Sequence, residues 1–113
     1  MWPETEIDEE SVKNDIVIEG YICKKPVFRK KLSGYEITDL LIAVNRGNGK
    51  SDYIPCICWG RTARFAGRLK VADKIRAFGR IQSREYTKKI GEENYETRVA
   101  YEVSIGKMLI IAG

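Results

Sequence analysis

The 113-residue sequence contains no histidine. Histidine is the commonest general base and the commonest protein ligand of metal ions, so its absence argues against most enzyme mechanisms. No pair of carboxylates stands out either, and no nucleophile has a visible activating neighbour. We therefore expect no catalytic residues and no cofactor, and we predict that the protein is not an enzyme.

Cysteine is scarce, with three residues at Cys23, Cys56 and Cys58. An odd number of cysteines without a recognisable signal peptide favours a reducing cytoplasm over a disulfide framework. Cys56 and Cys58 are two positions apart, so on a strand they would share one face. Because neither a histidine nor a CxxC motif is present to complete a metal site, we predict small buried hydrophobic residues and no metal.

Long hydrophobic runs are absent too, since no stretch approaches the roughly 18 apolar residues that a membrane span requires, and the length fits one compact domain. Charge is unevenly distributed. The first ten residues hold five acidic and no basic residues, whereas residues 11–113 hold 20 basic and 11 acidic residues, a net charge of +9. We predict a mobile acidic arm over 1–13 and a basic, polyanion-binding domain over 14–113.

The sequence does contain short alternating apolar segments separated by Gly, Asn and Pro. They predict five strands, over 15–23, 35–46, 53–59, 74–82 and 97–108. The three-residue spacing of Ala63, Ala66 and Leu69 predicts a short helix over 60–69. A basic segment over 24–31 and a polar hairpin over 83–96 connect these elements. This order predicts an all-β fold, the five-stranded oligonucleotide/oligosaccharide-binding (OB) barrel with one short helix between strands 3 and 4.

Aromatic and basic residues interleave at two places on this predicted barrel. Tyr53 and Trp59 bracket strand 3 and Arg61 follows it, while the polar hairpin carries Arg84, Tyr86, Lys88 and Lys89. Bases stack on aromatic rings for about 1–3 kcal/mol each, and phosphates favour nearby cations, so this mixture is typical of a groove for single-stranded nucleic acid. Two alternatives stay open: one of the two rings on strand 3 is a core residue, and the basic segment 24–31 is a solvated loop.

Four stretches in this order resemble the bacterial single-stranded DNA-binding protein family, over residues from Asn14 to the C-terminus. They are residues 14–20 in the first strand, 41–46 in the second, 58–63 from the third strand into the helix, and 78–86. The last stretch is the most specific, because it combines Gly79 in strand 4 with a basic residue and an aromatic residue in the hairpin that follows.

The resemblance implies single-stranded DNA as partner, in replication, recombination or repair, and a cytoplasmic, nucleoid-associated bacterial protein. Tyr53, Trp59 and Tyr86 match three aromatic platforms of the family, and one further platform has no counterpart in residues 47–49, which predicts a weaker grip. The family assembles as a homotetramer through the first strand and the sheet face, and a dimer is the alternative. The predicted DNA-binding residues are Arg29, Tyr53, Trp59, Arg61, Arg80, Arg84, Tyr86, Lys88 and Lys89.

The C-terminus departs from the family pattern. Family members end in an acidic tail that recruits replication and repair enzymes, whereas this sequence stops at residues 110–113, Ile-Ile-Ala-Gly. The sequence therefore gives no basis for recruitment by that route, and it resembles the short versions of phages and mobile elements. A shortened form of a longer chain would have the same ending. Two other functions remain as alternatives: a dimeric primosomal-type OB adaptor, and an OB module that binds protein through an apolar groove.

Overall fold

A computed structural model describes residues 13–111 of the chain. The predicted acidic arm lies outside the described residues except for Lys13. Six strands and one helix follow in the order β1 (Ile16–Ile22), β2 (Val27–Lys30), β3 (Glu36–Asn45), β4 (Ser51–Trp59), α1 (Gly60–Ala66), β5 (Lys74–Lys89) and β6 (Tyr95–Ile110).

The sheet closes on itself to form a barrel. The strand order is β1-β5-β6-β4-β3-β2, and β1 also pairs with β3 through Tyr21 and Ile22. All pairs are antiparallel except β4 with β6. Apart from the short β2, the barrel has five strands with the helix between the third and fourth. The predicted OB fold is therefore confirmed.

The barrel interior is filled by alternate residues of its five long strands, as the alternation predicts. Two inward residues of each strand are buried, namely Ile18 and Ile22, Leu40 and Ile42, Cys56 and Cys58, Ile75 and Ala77, and Val103 and Ile105. The helix covers one side of this core with Ala63 and Ala66. The buried hydroxyl of Thr38 donates a hydrogen bond of 2.6 Å to the carbonyl oxygen of Ala63, which ties the helix to β3.

Two predicted loops differ from the structure. Residues 27–30 of the basic segment form β2, which pairs with β3 although all four residues are exposed. The polar hairpin consists mostly of strand, because β5 and β6 stay paired as far as Lys89 and Tyr95. The predicted helix is shorter than expected and ends at Ala66, with Gly67 as its C-terminal cap.

A bulge in β6 changes which side chains face the core. Phe78 and Gly79 of β5 pair with Lys107 and Ile105, so Gly106 is the extra residue,. The inward alternation therefore continues at Met108, which is buried. At the other end of β6, Val99 and Tyr101 continue the inward side of the strand beyond the barrel. No second layer from residues 13–111 covers them there, and both are exposed.

The described part of the chain offers no candidate for a membrane-crossing helix, since its one helix has seven residues.

Candidate nucleic-acid interface

The outward face of β4 carries the two aromatic residues predicted on strand 3. Cys56 and Cys58 point into the barrel, so Tyr53 and Trp59 lie on the opposite face of the strand,. Tyr53 is 62% exposed and Trp59 44% exposed. Neither ring belongs to the core, and both present apolar surface to solvent.

The extra strand β2 places Arg29 near Trp59. Ile37 of β3 pairs with Arg29 on one side and with Trp59 on the other. Residues directly opposite in neighbouring strands point to the same face, so Arg29 and Trp59 flank Ile37 on the outer surface of the barrel. The guanidinium of Arg29 also donates a hydrogen bond of 2.7 Å to Asp39.

The turn from β4 into the helix positions Arg61. Gly60 has a φ of +60°, in the left-handed region that glycine adopts at no steric cost,. This conformation turns the chain directly from Trp59 into the first turn of the helix, where Arg61 is exposed. An aromatic ring and a cation are thus held two residues apart by a rigid corner.

The outer surface continues from β4 across β6 to β5. Ser104 of β6 pairs with Ile57 of β4 and with Arg80 of β5, so the outward faces of β4 and β5 are continuous through β6. Every second residue of β5 after Arg80 then points outward along the projecting hairpin. These residues are Gln82, Arg84, Tyr86 and Lys88.

Tyr86 is 37% exposed and pairs with Arg98 of β6. The pairing brings a second cation next to this ring. Lys89 has the opposite orientation, because it is adjacent to Lys88 in a regular strand and pairs with Tyr95,. The structure thus places eight of the nine predicted DNA-binding residues on the outer surface, seven of them by strand pairing and Arg61 at the exposed start of the helix, and Lys89 on the other face of the hairpin.

The cations of this surface fall into two groups. Arg29 is bound to Asp39, and Arg84 lies 3.3 Å from the carboxylate of Glu102. Within residues 13–111, Arg61, Arg80 and Lys88 make no ion pair. These cations are available to phosphate without breaking an ion pair, although Arg80 donates a hydrogen bond of 3.4 Å to the side chain of Gln82.

Among the acidic residues that the structure describes, Glu102 alone is buried, and it lies beneath this surface. Its side chain accepts a hydrogen bond of 2.9 Å from the amide of Gln82, in addition to the ion pair with Arg84. Sequence reasoning missed Gln82, Arg98 and Glu102. A hairpin turn centred near Gly91 would have predicted the register of the two strands, and that register places these three residues on the outer surface.

The β3–β4 turn lies where the resemblance predicts a missing platform. The backbone N–H of Arg46 donates to the carbonyl oxygen of Lys50, and Gly49 has a φ of +80°. Arg46 and Asp52 form an exposed ion pair beside the turn, and its hydrogen bond lowers the pKa of the Asp52 carboxyl below its ordinary value. Residues 46–50 contain no aromatic side chain.

The two cysteines of β4 are poor candidates for chemistry. Burial is the main cause that raises the pKa of both Cys56 and Cys58 to about 12. Thiolates are the form that attacks electrophiles and ligates metals. At neutral pH both groups are protonated thiols that fill core space, as predicted.

Comparison with known proteins places the chain in one family. The family model described as "Single-strand binding protein family" matches residues 13–108. A "Single-stranded DNA-binding protein" of Enterococcus faecalis is 31% identical over 96 residues, covering 79% of this chain and 51% of the relative. One of Oceanobacillus iheyensis is 32% identical over 93 residues, covering 76% and 58%.

A third relative, "Single-stranded DNA-binding protein A" of Bacillus subtilis, is 31% identical over 96 residues, covering 79% of this chain and 56% of the relative. The chain thus spans between about half and three fifths of the length of these curated relatives. The matched residues run from the start of β1 almost to the end of β6, and the chain belongs to the single-strand binding protein family.

Proposed function

We propose that the chain binds single-stranded DNA without strong sequence preference, as a non-catalytic coat on exposed strands in replication, recombination or repair. The observation that carries the proposal is the continuous outer surface on which the exposed rings of Tyr53, Trp59 and Tyr86 alternate with cations. Arg61 and Arg80 have no acidic partner within residues 13–111 and would take phosphates directly. Bases would stack on the rings.

A fluorescence titration tests this proposal. The chain has two tryptophans, so a Trp2→Phe background leaves Trp59 as the only reporter. We expect oligo-dT to quench its emission, with an affinity that falls linearly with salt in log-log coordinates as counterions are released. Tyr86→Ala should weaken binding by about 1–3 kcal/mol, the usual contribution of one stacked base.

Tyr101→Ala is the matched control for that titration, because Tyr101 is also exposed but lies on the other face of the hairpin. Its affinity for oligo-dT should equal that of the parent. Equal affinity for duplex and single strand, or the same loss in both tyrosine variants, would contradict the proposed surface.

A protein-binding OB module is a second candidate, and an apolar groove favours it. A cavity of about 360 Å³ opens at the end of the barrel and is lined by Ile16, Ile54, Ile81 and Tyr101. Such a groove fits an apolar segment of a partner protein. This function would be favoured if every surface variant bound DNA as the parent does and if a partner protein bound in this groove.

A further inference from the structure

The outer side of the helix carries a line of three exposed cations, the arginine stripe of Arg61, Arg64 and Arg68. Their spacing by three and four residues places them above one another on one side of a helix. The helix ends at Ala66, but the N–H of Arg68 still donates a hydrogen bond of 3.1 Å to the carbonyl oxygen of Phe65. This further turn keeps the third arginine in line with the other two.

The arginine stripe is unfavourable for the stability of the helix. Arg64 and Arg68 are like charges four residues apart, and such pairs repel. Arg61 lies in the first turn, where the helix dipole disfavours a cation and where no acidic residue is present,. Within residues 13–111, the only ion pair of these three arginines joins Arg64 to Glu36 at 3.2 Å. An anionic ligand would supply the missing counter-charge.

An aromatic ring lies beside the stripe. Phe28 of β2 is opposite Thr38, whose hydroxyl is bonded to the helix, so the ring is on the helix side of the sheet,. It packs so closely on Gly67 that a Cβ atom there would lie 3.2 Å from the Cβ of Phe28. Phe28 is nevertheless 44% exposed. A cleft of about 470 Å³ is lined by this ring, Gly67, Arg64 and Arg68.

The stripe begins at the proposed DNA surface. Arg61 belongs to both, because it follows Trp59 directly after the corner at Gly60. From Arg61 to Arg68 the stripe extends about 10 Å along the helix axis, at roughly 1.5 Å per residue. A strand of DNA stacked on Trp59 would therefore reach the stripe without a break in the line of cations.

We propose that a single strand of DNA that leaves Trp59 continues along the arginine stripe, with phosphates on Arg64 and Arg68 and a base stacked on Phe28. The stripe and its ring provide the two components that sequence-tolerant binding of a single strand requires. The proposal adds three residues to the predicted DNA-binding surface. It rests on the proposed function, because the stripe takes up a strand that the exposed rings already hold.

Oligo-dT of two lengths tests this extension. One OB fold holds about 4–16 nucleotides, so an oligomer of about 5 nucleotides should occupy the ring surface and one of about 16 should also reach the stripe. We expect Arg68→Gln to bind the short oligomer as the parent does and the long one more weakly. For the long oligomer the slope of log affinity against log salt should become shallower by about 0.7, the equivalent of one lost phosphate contact.

A second variant tests the stacking. Phe28→Leu removes the flat ring but keeps an apolar side chain against Gly67. It should weaken binding of the long oligomer about fivefold or more, the lower end of what one stacked base contributes. Its affinity for the short oligomer should equal that of the parent, which would also show that the ring surface is intact in the variant.

Lys70→Gln is the matched control. It removes the same charge two residues after Arg68, and Lys70 is exposed but does not line the cleft beside Phe28. It should bind both oligomers as the parent does. Equal losses in Arg68→Gln and Lys70→Gln would reduce the effect to net charge and overturn the extension.

The remaining outcomes separate the extension from the proposed function. If the parent binds both oligomers and neither Arg68→Gln nor Phe28→Leu weakens binding of the long one, the extension alone is overturned. The stripe would then be open to another anion, such as an acidic segment of a protein. If the parent binds neither oligomer, the proposed function itself is contradicted.

Discussion

Glu102 lies on the outer surface and carries a negative charge, which repels the phosphates of DNA. Its side chain is 9% exposed, and its carboxylate contacts both Gln82 and Arg84. A buried carboxylate with two polar partners fixes their side chains, because each long side chain loses its other rotamers. In the free protein, Glu102 thereby keeps Arg84 close to the strand.

Removal of this charge should strengthen DNA binding. In Glu102→Gln the hydrogen bond to Gln82 is retained while Arg84 is released to a phosphate, so we expect tighter binding of oligo-dT at low salt. The slope of log affinity against log salt should steepen by about 0.7, the counterion equivalent of one added phosphate contact on a single strand. An unchanged slope would show that Arg84 already contacts phosphate in the presence of Glu102.

The buried thiols predict a pH dependence of stability. Folding raises the pKa of Cys56 and Cys58 from 9.0 to about 12, mainly through burial. Between these values the unfolded chain loses the thiol protons and the folded chain keeps them, so the stabilisation present below pH 9 decreases as the pH rises. Both thiols contribute to this decrease, by at most on the order of 1 kcal/mol per pH unit each.

Urea unfolding of wild type and Cys58→Ala at pH 8–10.5 measures this contribution. The variant is expected to be less stable at pH 8, because it leaves a cavity in the core. Its free energy of unfolding should nevertheless fall less steeply above pH 9. Parallel slopes in the two proteins would show that other groups cause the alkaline loss of stability.

At the scale of elements, the barrel strands could be predicted because one face of each is buried. Ile18 and Ile22 in β1 alternate with exposed residues, and Ile75 and Ala77 in β5 alternate with half-buried ones. This alternation is visible in the sequence. The strand order also predicted where the helix lies. These elements carry their own burial pattern, so single-sequence reasoning was sufficient for them.

Strand β2 and the outer part of the hairpin carry no such pattern. All four residues of β2 are exposed, and the residues of β5 from Ser83 to Lys89 are exposed as well. Their strand structure comes from backbone pairing with a neighbour, which leaves no trace in hydrophobic periodicity. For the same reason the orientations of Lys88 and Lys89 could not be predicted, since a loop does not assign adjacent residues to opposite faces.

The residue types of the candidate site could therefore be predicted from the sequence, but their relative positions only in part. The exposure of Trp59 and Tyr53 followed from strand alternation once Cys56 and Cys58 were assigned to the core. The position of Arg29 beside Trp59 depends on β2, which the sequence did not reveal. That these residues bind DNA stays a prediction.

At the scale of the whole molecule, a second exposed surface is relevant to the assembly of several copies of the chain. The outward side of β1, β5 and β6 exposes Val17, Tyr21 and Leu109, and Lys74 lies 5.6 Å from the ring centre of Tyr21. This face is separate from the projecting hairpin. Exposed apolar patches on a soluble domain mark interaction sites, and we propose that this one joins copies of the chain into a homotetramer, with a dimer as the alternative.

Sedimentation equilibrium should detect a particle of four chains of 12.9 kDa each. Val17→Glu would place a charge in the proposed contact and should shift the protein to a smaller species. Val71→Glu is the control, because Val71 is exposed to a similar degree in the turn before β5. A monomer in wild type would contradict the proposed assembly, and equal dissociation in both variants would remove Val17 from the contact.

The parallel pairing of β4 with β6 has a consequence for how the chain folds. Cys56 and Cys58 meet Val103 and Ile105, partners that are 47 residues apart in the sequence. During synthesis, the ribosome has already released β4 and the helix when these partners are still to be added. The barrel can close between β4 and β6 only after β6 has been synthesised, and contacts of such long range make folding slow compared with that of helical domains.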